Sequence, residues 1–313
     1  MKPATPHTAT IPLNEPLFRG KRRLRIALVG LPNSGKSTFF KAVASTSVET
    51  GALAGTHRAY DECAVQIGLD EARVIDLPSI RSPHNLDSED RAALKYLLWG
   101  DERPPVSLHE PDGPPAPFAP PDVIVQVLDA TSLEYHLELT LKLAKFGRAL
   151  VIALNKMDDA QERGIYVNAK ELSARLGVPV VPTAAIMGHG IAELFRAAVH
   201  AVRAGVCPLE QPPSAHITAA LQPLASLLSA PEIQQAFRVP PSLLVSQIAE
   251  GDPYFLDEIR QHFAGYLPQV RRLLAIAGEA LPRPLTDELH ADRHHRAASL
   301  FEAATRLGAP HAG

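Results

Sequence analysis

Eight residues near the start of the chain, Gly30 to Ser37, have the types and spacing that bind phosphate. They read Gly-Leu-Pro-Asn-Ser-Gly-Lys-Ser, two glycines separated by four residues and followed by lysine and serine. In such a loop, backbone amides and the N-terminus of the next helix present partial positive charge to phosphate oxygens. Lys36 is predicted to reach the β- and γ-phosphates, and the Ser37 hydroxyl to ligate Mg²⁺. The motif therefore predicts a nucleoside triphosphate site but leaves the base open.

The residues that recognise the base are predicted in a second motif, Asn155 to Asp158, which reads Asn-Lys-Met-Asp. Its aspartate can accept hydrogen bonds from the N1–H and 2-amino groups of guanine, which adenine lacks in that arrangement. Asn155 is predicted to bond the N7 edge, and the stem of Lys156 to cover the face of the base. A backbone amide of Thr183 to Ala185 is predicted to bond the guanine oxygen. Behind a phosphate motif, this order along the chain favours guanine.

Asp76 completes the predicted magnesium site, because it follows a strand-like segment as the metal-shell aspartate does in nucleotide hydrolases. An aspartate that only caps a turn or helix is the alternative for this residue. The predicted contacts to the nucleotide are Gly30, Asn33, Ser34, Gly35, Lys36, Ser37, Thr38, Asn155, Lys156, Asp158, Ala184 and Ala185.

Predicted strands and helices alternate around these motifs, which indicates an α/β fold with a mostly parallel sheet. Both motifs follow strands, at the edge where open α/β sheets bind ligands. A polar, glycine-containing stretch at residues 47–60 predicts a mobile loop, and Asp70-Glu71 predicts a tight turn. The predicted strands are 24–29, 62–68, 73–76, 123–128, 149–154 and 178–182, and the predicted helices are 38–45, one from Ser88, 133–146, 168–176 and 191–202.

Proline content and changes of pattern divide the chain. We predict that residues 1–20 form a disordered tail and that residues 21–206 form the α/β domain. Inside that domain, residues 101–122 predict an insertion, because eight prolines within 103–122 exclude a central strand or a long helix. An inert spacer is the favoured interpretation, and docking to an aromatic-lined partner is the alternative. After a proline-containing linker, residues 215–306 show helical spacing alone and predict a small domain of four or five helices.

The composition narrows the class of protein. With 313 residues, 46% of them hydrophobic, the chain has room for about two domains with full cores. A net charge of −3 argues against nucleic acid as the main partner. Cys63 and Cys207 lie far apart without a metal-binding spacing and indicate a reducing, cytoplasmic setting. No apolar run in the sequence approaches the roughly 18–20 residues that cross a bilayer.

From about Leu24 to Arg306 the chain resembles the cytosolic GTPase and helical domains of the bacterial ferrous-iron transporter FeoB. The resemblance rests on GLPNSGKSTFFKAV, TGALAGTHRAY, DLPSIRS and, most specifically, residues 149–194, and it is thinner beyond Ala215. It implies a Ras-like P-loop GTPase domain and a helical domain that affects nucleotide release. It also implies that Asn33 ligates a potassium ion that stimulates hydrolysis, so that Lys36 and Asn33 are the expected catalytic residues.

This sequence departs from the family pattern in several places. The permease that follows in the family is absent, so we expect a standalone relative that acts with a separate permease, with an excised domain as the alternative. In the first switch, His57 takes the position of the magnesium-sensing threonine, with Thr56 one place early. In the second, Ser79 replaces a glycine and loses its freedom at positive φ. In the base-binding loop, Ala184 replaces the usual serine.

The leading hypothesis is a cytoplasmic protein that binds GTP and GDP, hydrolyses GTP slowly and regulates ferrous iron transport, held near the membrane by a permease. Slow hydrolysis is expected because no obvious water-positioning glutamine follows Ser79. The altered switches motivate an alternative, a scaffold whose conformation is set by the nucleotide without hydrolysis. A ribosome-assembly or tRNA-modifying GTPase is a third hypothesis, which the near-neutral charge disfavours.

Three histidines late in the chain, His290, His294 and His295, lie with acidic neighbours on a predicted helix. His290 and His294 are four residues apart, a spacing that would let them share one metal ion. A solvated helix face is the favoured interpretation.

Overall fold

The computed structural model describes residues 23–44, 48–53, 57, 59–67, 70–84, 86–102 and 119–308. The predicted tail and most of the proline-rich insertion lie outside these ranges. No helix within them is both long and apolar enough to cross a bilayer. Their strands are β1 (Leu24–Gly30), β2 (Val48–Ala52), β3 (Ala59–Ile67), β4 (Asp70–Asp76), β5 (Val123–Asp129), β6 (Ala149–Asn155), β7 (Ile165–Val167), β8 (Val180–Pro182) and β9 (Thr305–Leu307). The helices of the first two thirds of the chain are α1 (Lys36–Val43), α2 (Ser88–Trp99), α3 (Leu133–Leu143), α4 (Met157–Glu162), α5 (Ala169–Leu176) and α6 (Ile191–Ala204).

Within the described residues, seven strands form one sheet in the order β2-β3-β4-β1-β5-β6-β8. β1 pairs parallel with β4 and β5, and parallel pairing continues through β6 to β8. β5 and β6 are buried along their whole length and β1 almost so, which explains why their sequences are continuous apolar runs. The predicted α/β fold with a mostly parallel sheet is confirmed.

The antiparallel edge of the sheet differs from the prediction. The mobile loop predicted over residues 47–60 is wrong in part, because β2 lies there and pairs antiparallel with β3. The side chains of β2 are largely exposed, so backbone pairing forms the strand without an apolar pattern in the sequence. The predicted turn at Asp70-Glu71 is also wrong, because both residues lie in β4 and pair with Ile67 and Gln66.

Local sequence explains two helix ends, the start of α2 and the end of α5. The Asp87 carboxylate accepts hydrogen bonds from the amides of Glu89 and Asp90 at 2.9 and 2.8 Å, which fixes the start of α2. Gly177 ends α5 with a φ of 68°, as its position in the sequence predicts. Trp99 at the end of α2 is buried in the apolar core, where it acts as a packing residue.

Residues 215–304, all of them described, form a helical C-terminal region, and its last helix packs along α3. β9 follows this region and pairs antiparallel with β7 of the α/β part. A three-residue strand is too short for a periodic pattern to reveal. The boundaries of the two predicted domains, 21–206 and 215–306, stay a prediction. Six helices stand where four or five are predicted: α7 (Ala215–Leu228), α8 (Pro231–Phe237), α9 (Pro241–Ala249), α10 (Pro253–His262), α11 (Leu267–Glu279) and α12 (Leu285–Ala304).

A buried charge cluster, Lys142, Glu250 and Arg293, joins the helical region to the α/β part. Glu250, just after α9, forms ion pairs with Lys142 of α3 and Arg293 of α12. The exposed fractions of the three side chains are 8%, 12% and 5% in that order. Arg293 also donates to the Pro83 carbonyl at 3.4 Å, in the loop that follows β4. Because charges so deeply buried require their partners, the cluster fixes where the helical region lies.

Candidate nucleotide-binding site

The parallel strands β4, β1, β5, β6 and β8 end at one edge of the sheet, and the predicted site residues lie there. Gly30 ends β1, Asp76 ends the neighbouring β4, and Asn155 ends β6. Ala184 and Ala185 follow β8 closely. This is the edge at which open α/β sheets bind ligands, so the fold brings the phosphate and base motifs together.

The phosphate loop turns sharply between β1 and α1. Asn33 and Gly35 have positive φ angles of 63° and 92°, and the Ser34 amide donates to the Leu31 carbonyl at 3.3 Å. Gly35 is the N-cap of α1, and no side chain of the described residues caps this helix. An uncapped helix N-terminus leaves its amide dipoles available to an anion.

Two glycines keep the inside of the loop clear. A Cβ at Gly35 would lie 2.2 Å from the Asn155 Nδ2, and a Cβ at Gly30 would lie 2.8 Å from both the Ser34 Oγ and the Val127 carbonyl oxygen. The Ser34 hydroxyl is buried and has no hydrogen-bond partner among the described residues. A loop stripped of side chains, with an unpartnered hydroxyl inside it, suits a bound phosphate.

We expect Gly35→Ala to weaken nucleotide binding by about tenfold or more, roughly 1.4 kcal/mol. The new methyl group would press on the Asn155 amide and would sit at a φ that alanine rarely adopts. Titration with fluorescent GDP measures the effect. Gly188→Ala is the matched control, because Gly188 also has a positive φ but no atom within 4 Å of its Cβ position. Equal losses in the two variants would show that backbone strain alone is responsible.

Lys36 and Asp76 form an ion pair beside the loop, with side chains only 5% and 12% exposed. Burial raises the pKa of Asp76 above its ordinary value, and the Lys36 ammonium offsets this only in part. Ser37 is exposed and Thr38 half-buried next to them. A serine hydroxyl and a carboxylate are hard oxygen ligands of the kind that Mg²⁺ prefers, together with phosphate and water. This donor set therefore fits Mg²⁺ held partly by its nucleotide.

Asn155 connects the phosphate loop with the loop that follows β8. Its Nδ2 donates to the Ser34 carbonyl at 2.9 Å, and its Oδ1 accepts from the Ala185 amide at 3.1 Å. The side chain is only 4% exposed. Asn155 thus holds the two loops in register, a positioning role that sequence analysis missed.

The backbone amides of the loop after β8 already have acceptors. Thr183 donates to the Leu154 carbonyl at 2.8 Å, and Ala184 to the His189 carbonyl at 3.2 Å. Ala185 donates to the Asn155 side chain. A bond from one of these amides to the guanine oxygen therefore requires an exchange of partners, and it stays a prediction.

Asp129 is a site residue that sequence analysis missed. It ends β5, and its carboxylate accepts from the Lys156 ammonium at 2.6 Å and from the Thr131 hydroxyl at 2.7 Å. Burial would raise the pKa of Asp129, but these hydrogen bonds outweigh it and hold the pKa below its ordinary value. Lys156 is thereby fixed next to Asp158, which is exposed in the first turn of α4. The sequence does contain a signal for Asp129, because this acidic residue directly follows the predicted strand 123–128.

The structure describes the second predicted switch segment, after β4, more fully than the first segment around His57. Thr56 lies outside the described residues, and His57 is exposed. In the second segment, Ser79 is half-buried, and the Ile80 amide donates to the Gly30 carbonyl at 3.0 Å. The segment after β4 is therefore bonded directly to the first glycine of the phosphate loop.

The late histidines have different partners. The Nδ1 of His294 lies 2.9 Å from a Glu138 carboxylate oxygen, whereas the ring centroid of His290 lies 5.3 Å from that of His84. His295 is exposed. In the described part of the chain, no group of three or more His, Cys, Asp and Glu residues could hold a metal ion. A metal shared by His290 and His294 is therefore not supported.

The phosphate loop, the Asn-Lys-x-Asp motif and the sheet define a P-loop protein with the Ras-like G-domain fold. Solved structures agree with this class. The chain is similar to a GDP-bound mutant of S. thermophilus NFeoB, with a TM-score of 0.74, 25% identity, and coverage of 90% of this chain and 100% of that one. Its likeness to the cytosolic domain of L. pneumophila FeoB has a TM-score of 0.68, with 24% identity and coverage of 90% and 99%.

Residues 24–110 and 118–198 match the family described as "Ferrous iron transport protein B", and the chain belongs to this family. It is 29% identical over 265 residues to the Fe(2+) transporter FeoB of Escherichia coli K12, a match that covers 80% of this chain. It is 31% identical over 177 residues to the FeoB of Salmonella typhimurium LT2, which covers 55% of this chain. The matches span about 30% and 20% of the lengths of these relatives.

Proposed function

We propose that this protein binds GTP and GDP together with Mg²⁺ and hydrolyses GTP slowly. The observation that carries the proposal is the link between the two motifs, in which Asn155 is hydrogen-bonded to both Ser34 and Ala185. These hydrogen bonds link the residues proposed to bind phosphate with those proposed to bind the base, which supports a single site. The S. thermophilus relative is described with bound GDP, which supports the same ligand here.

Each proposed role follows from the chemistry of the residue. The Lys36 ammonium and the loop amides would hold phosphate oxygens. Ser37 and Asp76 would hold Mg²⁺, which neutralises charge on the β- and γ-phosphates when it is bound. Asp158 would accept the two guanine donors, and Lys156 would cover the base.

We expect Asp158→Asn to lower GDP affinity about 30- to 100-fold, or roughly 2–3 kcal/mol, and to raise affinity for xanthosine diphosphate. The carboxylate accepts from two guanine donors, whereas an asparagine amide can donate to the 2-oxo group of xanthine. Calorimetric titration with GDP, xanthosine diphosphate and ADP measures both effects. Asp159→Asn is the matched control, because Asp159 is exposed in the same helical turn. Equal binding of GDP and ADP by the unaltered protein would contradict guanine recognition.

The proposed hydrolysis includes a potassium ion at Asn33. This residue is exposed in the loop, which leaves its amide oxygen accessible to a cation. We expect single-turnover GTP hydrolysis to be faster in KCl than in NaCl at equal ionic strength, and Asn33→Ala to remove the difference. Equal rates would exclude the potassium role. Absence of hydrolysis in both salts would favour the second candidate, a nucleotide-dependent scaffold, which His57 and Ser79 at the switch positions support.

We further infer a role in ferrous iron transport, because the family and the curated relatives carry that function in their names. The proposed partner is a separate membrane permease, with this protein on the cytoplasmic side. The cytosolic domain of the L. pneumophila relative supports that location, and nucleic acid is not a proposed partner. Uptake of radioactive ferrous iron should fall in cells that carry Lys36→Ala, and unchanged uptake would contradict the role.

A further inference from the structure

A cavity of about 580 Å³ lies between the α/β part and the helical region. Lys145 lines it and precedes β6, so the cavity is at the opposite end of that strand from Asn155. Small-molecule sites occupy roughly 300–1,000 Å³. The cavity therefore has the size of a ligand site and is separate from the nucleotide.

The walls of this cavity are mostly apolar. Leu221 of α7, Val245 of α9 and Leu289 of α12 supply aliphatic surface, and all three are buried. Four prolines from the linker and from the start of α9 add to it. Because proline has a fixed φ and no amide donor, this wall is stiff and offers no backbone N–H groups. The prolines are Pro212, Pro213, Pro240 and Pro241.

Lys145 is a cation of this cavity without a direct ion pair among the described residues. Within the described residues, its ammonium takes part in no hydrogen bond or ion pair. Glu250, the carboxylate of the charge cluster behind it, is already bonded to two cations. Arg296, a further cation near Lys145, is paired with Asp292 at 2.8 Å. Lys145 therefore contributes a positive charge to the cavity lining that no described carboxylate pairs with directly.

The electrostatics of Lys145 agree with this geometry. Burial lowers the pKa of Lys145 to about 8, and the attraction of Glu250 opposes the shift without cancelling it. Glu210 also lines the cavity, but it is exposed and forms no ion pair with Lys145 in the described structure. An anion inside the cavity would restore the interactions that the ammonium loses on burial.

We propose that this cavity binds a small organic anion with an apolar body, whose acid group pairs with Lys145 and whose body packs against the proline and leucine wall. Charge complementarity selects an anion, and the apolar walls select a molecule that is more than an inorganic ion. The proposal does not depend on guanine nucleotide, since the two sites share no residue.

Calorimetric titration with octanoate tests the proposal, with octanol as its neutral match. At pH 7 we expect octanoate to bind at least about tenfold more tightly than octanol, a ratio typical of one charge-assisted contact. Lys145→Gln should remove the difference, and Lys145→Arg should keep it. Val245→Trp, which fills the cavity, should block both probes. Lys170→Gln is the control, because Lys170 is exposed on α5.

Dependence on pH provides a second readout that needs no destabilising variant. Octanoate stays ionised above pH 7, so its affinity should fall between pH 7 and about 9.5 as Lys145 loses its proton. Burial also lowers the pKa of Lys142 in the charge cluster. The other charged groups around Lys145 are Glu250, Arg293 and Arg296, with Glu210 on the cavity wall. If the fall in octanoate affinity disappears in Lys145→Arg, whose side chain stays charged, the fall is due to deprotonation of Lys145.

Three outcomes would overturn the proposal: equal affinity for octanoate and octanol, undiminished octanoate binding in Lys145→Gln, or a pH step that persists in Lys145→Arg. GDP affinity measured on the same samples reports on the nucleotide site separately. A failure of either site is thus distinguished from a failure of the other.

Discussion

Lys36→Ala is expected to lower GDP affinity about a thousandfold, or roughly 4 kcal/mol. Lys36 opens α1 at the N-terminus that faces the phosphate loop, and its side chain is only 5% exposed. Hydrogen bonds to charged partners contribute about 1.5–3 kcal/mol each, so two such bonds to phosphate oxygens account for the loss. Titration with fluorescent GDP, with detection extended to millimolar concentrations, measures it.

The control for this variant is Lys41→Ala, because Lys41 is exposed on the same helix and should leave GDP affinity unchanged. Lys36→Ala also removes the partner of Asp76, whose pKa is already raised by burial. Thermal unfolding should therefore be measured alongside affinity. A folded Lys36→Ala protein that binds GDP as tightly as Lys41→Ala would contradict the phosphate-binding role.

Glu250→Gln is expected to lower the free energy of unfolding by about 3–5 kcal/mol. The carboxylate separates Lys142 from Arg293, and an uncharged amide would leave these two buried cations without a counter-charge. Urea unfolding followed by the fluorescence of Trp99 measures the change. Glu279→Gln is the matched control, because Glu279 is exposed on α11. A loss below about 1 kcal/mol would show that water or a neighbouring group stabilises the two cations when the carboxylate is removed.

The same carboxylate predicts a pH dependence with a definite sign. Burial alone would raise the pKa of Glu250, but Lys142 and Arg293 outweigh it and hold the pKa at about 2. In the unfolded chain a glutamate has a pKa of about 4.3. Because the folded pKa is lower, the stability that Glu250 contributes is present above about pH 4.5 and is lost as the pH falls toward 2. Stability of Glu250→Gln should vary less over that range, and parallel curves would contradict the assignment.

The phosphate loop was predictable because its structure is local. Gly30, Gly35 and Lys36 lie within one strand–loop–helix unit. Neither glycine position has room for a Cβ, as the motif requires. Buried parallel strands were predictable for a similar reason, since they leave continuous apolar runs in the sequence. The exposed edge strand β2 was not, because its formation depends on a neighbour that offers free backbone groups.

The sequence by itself determined which residues are proposed to bind phosphate and base, and that the chain belongs to an α/β class. Tertiary structure alone decided how they meet: Asn155 bonds Ser34 across 121 residues of chain. It also decided the charge cluster, in which Glu250 lies 108 residues from Lys142 and 43 from Arg293. Turn chemistry and apolar periodicity act over a few residues and are written in the local sequence. The partner of a buried polar group is chosen by packing between distant segments, and no local pattern records that choice.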